Sequence, residues 1–272
     1  MNFNEALTAA TTFSGLACPK CSSQNYRKHG HCLGIQRYRC KQCGRYFKET
    51  INTPLHGIHN KPKMQQYISS LIDQHTIRKA ACLLEISVST SFAWRHKLLS
   101  SLQCAHIIPA QTPVVACQIN LPHSFKGKRQ IPDKPLPATR TFLVADARGI
   151  PYLHLMPPKC TALEASKPLR ILIEQAPSVA IAPAKLLTKA SKFAVYKHIT
   201  HSATQKKLLQ VANIATSRLS GWMVRFHGVA TKYLQQYWNW YRVQTSVGAT
   251  ELFATECLAH RNLLDYRHLI QR

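Results

Sequence analysis

The 272-residue sequence predicts a multidomain α/β protein, and three observations lead to that prediction. Two close cysteine pairs lie near the start of the chain. Apolar residues then recur at helical spacing, and further along strand-like segments alternate with helical ones. The predicted organisation is a cysteine-bearing ribbon over 1–50, a helical segment over 51–108, a mixed α/β domain over 109–245 and a helical C-terminal tail over 246–272.

The ribbon is predicted from two C-x-x-C pairs that are separated by 18 residues: Cys18, Cys21, Cys40 and Cys43. This spacing is typical of four-cysteine zinc sites, in which the thiolates bind Zn²⁺ tetrahedrally. Because so short a segment cannot bury a sizeable core, the metal itself is expected to fold it. Structural Zn²⁺ is therefore the predicted cofactor of a zinc ribbon, with Cys32 as a weaker alternative ligand.

The net charge of the chain predicts a polyanionic partner. Lys and Arg number 36 against 11 Asp and Glu, which gives a formal charge of +25. Release of counterions from phosphates drives the binding of such surfaces to nucleic acid. An anionic membrane would also attract this charge, but the sequence has no uninterrupted apolar run of about 18 residues.

The N-terminus lacks a secretory layout, so we expect a reducing compartment, in which paired cysteines bind metal.

The ribbon itself is strongly basic. Residues 26–40 alternate like a short hairpin with glycines at the turns. Its aromatic residues are predicted to pack a small core, with stacking on bases as the alternative: Tyr26, Tyr38, Tyr46 and Phe47. Seven basic side chains are predicted to contact nucleic acid: Lys20, Arg27, Lys28, Arg37, Arg39, Lys41 and Arg45.

The stretch 76–98 predicts a helix-turn-helix. A short helix is expected to end near Leu84, and Ser87 or Ser89 can cap a second helix. Three apolar residues of the second helix are expected to face inward: Phe92, Leu98 and Leu99. Three further side chains are expected to face outward, toward the major groove of DNA: Arg95, His96 and Lys97. An ordinary helical hairpin is the alternative.

Beyond the helices the pattern changes to α/β. Strands are predicted over 114–121, 141–145, 151–156 and 179–182, with helices on either side of the last. A basic, proline-rich loop follows the first strand and adds three candidate DNA contacts: Lys126, Lys128 and Arg129. The stretch 211–242 is helical and aromatic, and its aromatic side chains are assigned to the core.

Two stretches of this segment carry a family resemblance. They are Ser124-Phe125-Lys126-Gly127 and the run 217–234, S-R-L-S-G-W-M-V-R-F-H-G-V-A-T-K-Y-L. With the order ribbon, helix-turn-helix, α/β domain, the chain resembles bacterial insertion-sequence transposases that carry an N-terminal zinc ribbon. The resemblance spans roughly 15–245. It implies a ribonuclease-H-like domain that cuts DNA with two Mg²⁺ ions, double-stranded DNA with element-end inverted repeats as partner, homo-oligomers, and a cytoplasmic, nucleoid-associated protein.

The positions that hold the catalytic carboxylates in that family hold other residues here. Aligned on the S-F-K-G stretch, the first Asp and its following Glu correspond to Cys117 and Gln118, and the second Asp corresponds to Pro183. The third family residue, often Asn, matches Asn213, and a Lys seven positions later is Ser220. Two-metal chemistry needs carboxylates that hold both ions, and thiolate is a poor Mg²⁺ ligand. The catalytic site is therefore predicted to be degenerate, without bound Mg²⁺.

The distribution of acidic residues, which is independent of that alignment, agrees with this prediction. Between Glu85 and Glu251 the sequence holds four acidic residues: Asp133, Asp146, Glu164 and Glu174. Asp146 is expected to begin a hairpin turn, and all four are expected to be solvated turn or surface charges. The favoured hypothesis is a DNA-binding protein of transposase descent without strand transfer, including a co-opted regulator. The alternatives are an active enzyme that uses unusual ligands among Asp146, Glu164 and Glu174, and an interaction protein with an aromatic dimer surface.

Overall fold

The structure is a computed structural model that describes residues 16–32, 35–48, 50–51, 54–102, 112–126, 138–174, 176–194, 196 and 202–245. They form two compact units, one over the described part of 16–102 and the other over the described part of 112–245. The described residues contain two β-sheets and seven α-helices in a mixed α/β arrangement. Several predicted features lie outside the described residues: Lys128, Arg129, Asp133 and the tail 246–272.

The first unit begins with a three-stranded antiparallel sheet. Its strands are β1 (Tyr26–Cys32), β2 (Ile35–Cys40) and β3 (Tyr46–Lys48), in the order β1-β2-β3. One face of the sheet packs Tyr26, Tyr38 and Phe47 against the buried cysteines Cys18 and Cys40. The prediction of an aromatic core is confirmed for these three rings.

Tyr46 is the exception among the ribbon aromatics. Its side chain is 43% exposed, so its assignment to the core is wrong. The physical reason is the pleat of the strand, because neighbouring residues point to opposite faces and Phe47 already faces the core.

Three helices follow in the first unit: α1 (Lys61–Ile72), α2 (Ile77–Leu83) and α3 (Val88–Ser101). The prediction that α2 ends near Leu84 is confirmed. The side chain of Ser87 accepts a hydrogen bond from the backbone N–H of Thr90 and caps α3, as predicted. Tyr67 of α1 is buried against α3, and its hydroxyl donates to the carbonyl of Ser91 at 2.5 Å.

The predicted outward orientation of Arg95 and His96 is wrong. Their side chains are 0% and 2% exposed, and Lys97 is half-buried. Arg95 Nη2 donates to the carbonyl of His75 at 2.5 Å, and Lys97 Nζ donates to the carbonyl of His56. These residues lie in the half of α3 that packs against the rest of the unit, whereas Val88 and Ser89 at its start are exposed. The charged ends of Arg95 and Lys97 therefore bind backbone carbonyl groups, while the aliphatic parts of these side chains pack within the unit.

The second unit is built on a four-stranded sheet with the order β6-β5-β4-β7. Strands β4 (Val114–Leu121), β5 (Thr139–Asp146) and β6 (Pro151–Met156) pair antiparallel, whereas β7 (Val179–Ile181) pairs parallel with β4. The parallel pair is joined through β5, β6 and a helix. The helical elements are α4 (Ala162–Ile173), α5 (Lys185–Ser191), α6 (Ser202–Val224), a 3₁₀ turn (Thr231–Tyr233) and α7 (Leu234–Thr245).

The core of the second unit lies on the face of the sheet that carries Val114, Ala116, Phe142 and Val144. Residues of α4 and α5 pack against this face. Helix α6 contacts β4, β5 and β7, and α7 contacts β6. Phe226 is half-buried against Trp222, and the other six aromatic residues of the C-terminal helices are buried as predicted: Trp222, Tyr233, Tyr237, Trp238, Trp240 and Tyr241. None of the described helices has both the length and the apolar character needed to cross a membrane.

Replacing Glu85 with glycine is expected to stabilise the first unit. Glu85 follows the end of α2 with φ of 51°, a conformation that glycine adopts without steric cost. We expect Glu85→Gly to raise the free energy of unfolding by about 0.5–1 kcal/mol, measured by urea denaturation. Glu85→Ala removes the same charge but keeps the strained backbone, so it is the matched control. Equal stability of the two variants would contradict this account.

Candidate metal centre and nucleic-acid interface

The four cysteines lie on two loops with the same backbone pattern. In the first loop Cys18 N–H donates to the carbonyl of Ser23, and in the second Cys40 N–H donates to that of Arg45, both at 2.9 Å. Each loop has a second hydrogen bond, in which the cysteine carbonyl is the acceptor. Ser22 N–H donates to the carbonyl of Cys18 at 2.9 Å, and Gly44 N–H donates to that of Cys40 at 3.1 Å. Ser22 and Gly44 both have positive φ. Each loop therefore forms a tight knuckle that supplies two thiols.

The four sulfurs converge on one point. All of them lie within 4.8 Å of one another, with Cys18 Sγ 3.4 Å from Cys43 Sγ and Cys21 Sγ 3.6 Å from Cys40 Sγ. A tetrahedral site with Zn–S bonds of about 2.3 Å separates its sulfurs by about 3.8 Å. All four thiols are free, and they form the one cluster of three or more potential ligands among the described residues. The donor set and its geometry fit a metal such as Zn²⁺.

The thiols perturb one another's ionisation. Burial raises the pKa of Cys18, but the backbone N–H groups of Lys20 and Cys21 and the neighbouring thiols lower it to about 6. The backbone N–H of Cys43 holds the pKa of Cys40 below its ordinary value, despite burial. A backbone hydrogen bond from Ser23 lowers the pKa of Cys21, but burial and the other sulfurs raise it to about 12. A divalent cation would favour the fully ionised form of all four thiols. Because protons compete with the metal for the sulfurs, metal affinity is expected to decrease as the pH is lowered.

The surface opposite the aromatic core of the ribbon is strongly basic. Strand register places Arg27 beside Arg39, Arg39 beside Tyr46, and Arg37 beside Lys48. We call this surface, with His29, the outer face of the ribbon: Arg27, His29, Arg37, Arg39, Tyr46 and Lys48. The guanidinium carbons of Arg37 and Arg39 lie 5.2 and 5.4 Å from the centroid of the Tyr46 ring, and the His29 ring lies 4.8 Å from it. Residues 6–48 include no Asp or Glu.

The remaining basic candidates of the ribbon are exposed. Lys20 and Lys41 lie in the two knuckles, Arg45 follows the second, and Lys28 lies on β1. Contact of any of these residues with DNA stays a prediction. His29, Tyr46 and Lys48 belong to the same surface, although they were not among the residues predicted to contact nucleic acid. Their alternation with core residues along the strands was the signal, and it could be used only once the register was known.

The positions aligned with the family's carboxylates lie in the second unit. Cys117 on β4 is buried, burial raises the pKa of its thiol, and its Sγ lies 3.9 Å from Thr216 Oγ1 on α6. Gln118 is half-buried and its Nε2 donates to Asn120 Oδ1 at 2.8 Å. Ala182 N–H donates to the carbonyl of Ala116 at 2.8 Å. The segment that leads to Pro183 therefore still runs beside β4 next to Cys117.

Two other aligned positions lie on α6. Asn213 and Ser220 are both exposed on this helix, and neither is joined to Cys117 or Pro183 by a hydrogen bond within the described residues. Cys117 thus lies on β4 and Pro183 lies just beyond the end of the neighbouring strand β7, with α6 against the same sheet.

Two of the three described acidic residues of this unit have structural partners. Asp146 is fully buried, so its expected solvation is wrong; hydrogen bonds replace the water, since one carboxylate oxygen accepts from the backbone N–H groups of Arg148 and Ile150 at 3.0 Å. The other oxygen pairs with the Arg148 guanidinium at 2.8 Å, which confirms the predicted turn. Glu164 forms a capping box with Thr161 at the start of α4, and these hydrogen bonds lower its pKa. Glu174 is exposed at the end of α4.

The two stretches that carry the family resemblance contact each other. Ser124 N–H donates to Thr231 Oγ1 at 2.9 Å, and Thr231 N–H donates to the carbonyl of Ser124 at 3.2 Å. Lys126 Nζ donates to the carbonyls of His227 at 2.8 Å and Gly228 at 3.3 Å. We call this set of contacts the clasp. Lys126, a predicted DNA contact, is exposed, but its ammonium group binds the end of the segment that follows α6.

Comparison with known proteins gives one distant structural similarity. No protein-family model matches the chain, and no curated protein matches it. Among solved structures, the chain is similar to a chain of the crystal structure of a pre-cleavage Mos1 transpososome, with 14% identity and a TM-score of 0.30. That alignment covers 75% of this chain and 77% of the other. The assignment of a role therefore rests on the residues of the two units themselves.

Loss of one thiol is expected to abolish tight metal binding. Changes to residues that only hydrogen-bond to metal ligands weaken metal sites by about 10–100-fold, so the loss of a ligand in Cys43→Ser is expected to lower metal affinity by more than about 100-fold. Titration with Co²⁺ reports tetrahedral thiolate coordination by its absorption, and competition with Zn²⁺ gives the affinity. Cys32→Ser is the control, since Cys32 lies in the ribbon but outside the cluster. Equal loss in both variants, or no metal binding by the wild type, would refute the assignment.

Proposed function

We propose that this protein binds double-stranded DNA, and that the outer face of the zinc ribbon is its main phosphate-binding surface. The observation that carries the proposal is the pairing of like charges across strands. Arg27 lies opposite Arg39, and Arg37 lies opposite Lys48. Like charges directly opposite each other destabilise a sheet. Phosphates at this surface would relieve that repulsion, and release of their counterions would add to the affinity.

The helical segment supports a second contact with the duplex. We infer that α2 and α3 form a helix-turn-helix, in which the first residues of the second helix approach the base edges. That part of α3 is exposed, and Val88 is 51% exposed within it. An exposed apolar side chain suits the methyl group of thymine. Arg78 and Lys79 are exposed at the start of α2 and are available for phosphates. These residues replace Arg95 and His96 as the proposed DNA contacts.

We further propose that the chain is a transposase-family protein whose second unit is ribonuclease-H-like. Three antiparallel strands are followed by a helix and a strand parallel to the first, and the family stretches meet in the clasp. The proposed domains are 1–50 zinc ribbon, 51–108 helix-turn-helix, 109–245 ribonuclease-H-like and 246–272 helical tail. The proposed setting is the bacterial nucleoid, with element-end repeats as target DNA and a homo-oligomer as the binding form.

Loss of strand transfer is the final part of the proposal. Cys117 and the Pro183 segment occupy neighbouring parallel positions, where two metal-binding carboxylates would have to lie. Asp146 and Glu164, the unusual ligands considered above, are held by a turn and a helix cap. The aromatic residues of α6 and α7 are buried within their own unit, which favours a core over a dimer surface. A DNA-binding protein without Mg²⁺-dependent chemistry, or a regulator derived from one, fits these residues best.

If the outer face binds phosphates, removal of its positive charges should make the affinity for DNA less dependent on salt concentration. We expect Arg27→Gln/Arg39→Gln to reduce the slope of log affinity against log salt by about 2, since each lost phosphate contact removes about 1. The measurement is anisotropy of a labelled duplex at several salt concentrations. Lys189→Gln, an exposed change in the last turn of α5, serves as the charge control.

The same titration has a clear contrary outcome. Wild-type binding that ignores both salt concentration and zinc chelation would reject the proposal. Selection of bound fragments from a genomic library, with the wild type and with Cys18→Ser/Cys43→Ser, then identifies the target sequence.

The catalytic proposal predicts no strand cleavage. Incubation of the protein with DNA that it has selected, in Mg²⁺ or Mn²⁺, is expected to leave every strand intact on a denaturing gel. Because phosphoryl transfer needs metal-bound carboxylates, cleavage that requires the divalent ion would contradict the proposal.

A further inference from the structure

A cavity of about 380 Å³ lies beside the clasp in the second unit. Its walls come from the segment after β4, the end of β6 and the 3₁₀ turn. The volume lies within the range of about 300–1,000 Å³ that is typical of small-molecule sites. Cys117 and Pro183 are not among the residues that line the cavity. The residues of the metal centre and of the outer face of the ribbon are not among them either.

The lining of this cavity combines a flat apolar surface with positive charge. Phe125, Met156 and Pro157 supply the apolar part. The His123 ring lies 4.6 Å from the Phe125 ring, and His123 Nδ1 lies 3.3 Å from Thr139 Oγ1, so both aromatic rings have defined neighbours. Lys126 and Lys232 line the cavity and contribute positive charge, with Lys232 Nζ 4.9 Å from the centroid of the Tyr233 ring, and no acidic residue is among the described residues that line it.

We infer that the cavity binds a single unpaired nucleotide, with its base against Phe125 and its phosphate near the two lysines. Aromatic and apolar side chains bind bases of any sequence by stacking. An ammonium group has three donors, and Lys126 uses two of them for the carbonyls of His227 and Gly228. The third is available for a phosphate oxygen. The same residue therefore joins the ligand to the clasp.

Two sources share this chemistry. A free nucleotide from solution is one, and an unpaired nucleotide at the end of a DNA duplex is the other. The second source rests on the proposed function, whereas the first does not. Measurements on free nucleotide and on DNA therefore separate failure of this inference from failure of DNA binding at the ribbon.

The experiment uses the full chain with three probes. They are a blunt duplex, the same duplex with one unpaired 2-aminopurine nucleotide at its end, and free 2-aminopurine nucleoside monophosphate. The readouts are affinity and 2-aminopurine fluorescence, which falls when the base stacks. We expect the unpaired nucleotide to raise duplex affinity about tenfold, as base–aromatic stacking does elsewhere, and its fluorescence to fall. Quenching of the free monophosphate alone would also support the cavity and would assign a soluble nucleotide as its ligand.

Variants tie the signal to the cavity. Phe125→Leu is expected to abolish the fluorescence decrease and the advantage of the unpaired end while leaving blunt-duplex affinity unchanged. Lys232→Gln is expected to weaken binding of both unpaired probes, and Lys189→Gln is the charge control on α5. Circular dichroism checks that each variant folds, and Lys232→Gln keeps the test valid if Phe125→Leu unfolds. Equal affinity for blunt and unpaired ends, with no fluorescence change for any probe, would overturn the inference.

Discussion

The ribbon depends on the convergence of four sulfurs, because little else in its sequence favours a compact state. The core of its sheet contains one buried aromatic ring, Phe47, with Tyr26 and Tyr38 packed beside it. The other side of the same sheet brings four cationic side chains into opposed pairs. Structural zinc contributes about 10–16 kcal/mol in comparable small domains, and this binding energy is folding energy. So small a core could not by itself offset the repulsion between these cationic side chains. Binding of a metal would supply the missing stability at four ligands: Cys18, Cys21, Cys40 and Cys43.

The second unit shows how few acidic residues a strongly basic chain has available. Asp146 is buried and accepts hydrogen bonds that close the β5–β6 turn, while Glu164 caps α4. Each carboxylate satisfies backbone N–H groups that would otherwise lack partners. Withdrawing either one to bind a cation would open a turn or the start of a helix. The fold of this unit therefore uses its carboxylates for structure.

Local sequence signals predicted the helices, strands and metal ligands better than they predicted which side chains are exposed. The cysteine spacing, the strand at 114–121 and the cap at Ser87 depend on neighbouring residues, and the structure contains each of them. Arg95 and His96 were misplaced because their environment comes from the segments around His75 and from the whole unit, which no local pattern describes. Tyr46 was misplaced because its face depends on register with β2, a relation between strands. The cavity beside the clasp joins segments far apart in sequence, so it had no local signal.

The clasp also sets an order of events during synthesis of the chain. Its hydrogen bonds join positions 101–107 residues apart, from Ser124 and Lys126 to His227 and Thr231. Strands β4, β5 and β6 can pair soon after they leave the ribosome, whereas the clasp must wait for the segment after α6. At about 5–20 residues per second, that delay is on the order of 5–20 seconds. For this interval the end of β4 lacks its final partner, and a nascent chain that stops before His227 would keep that end open.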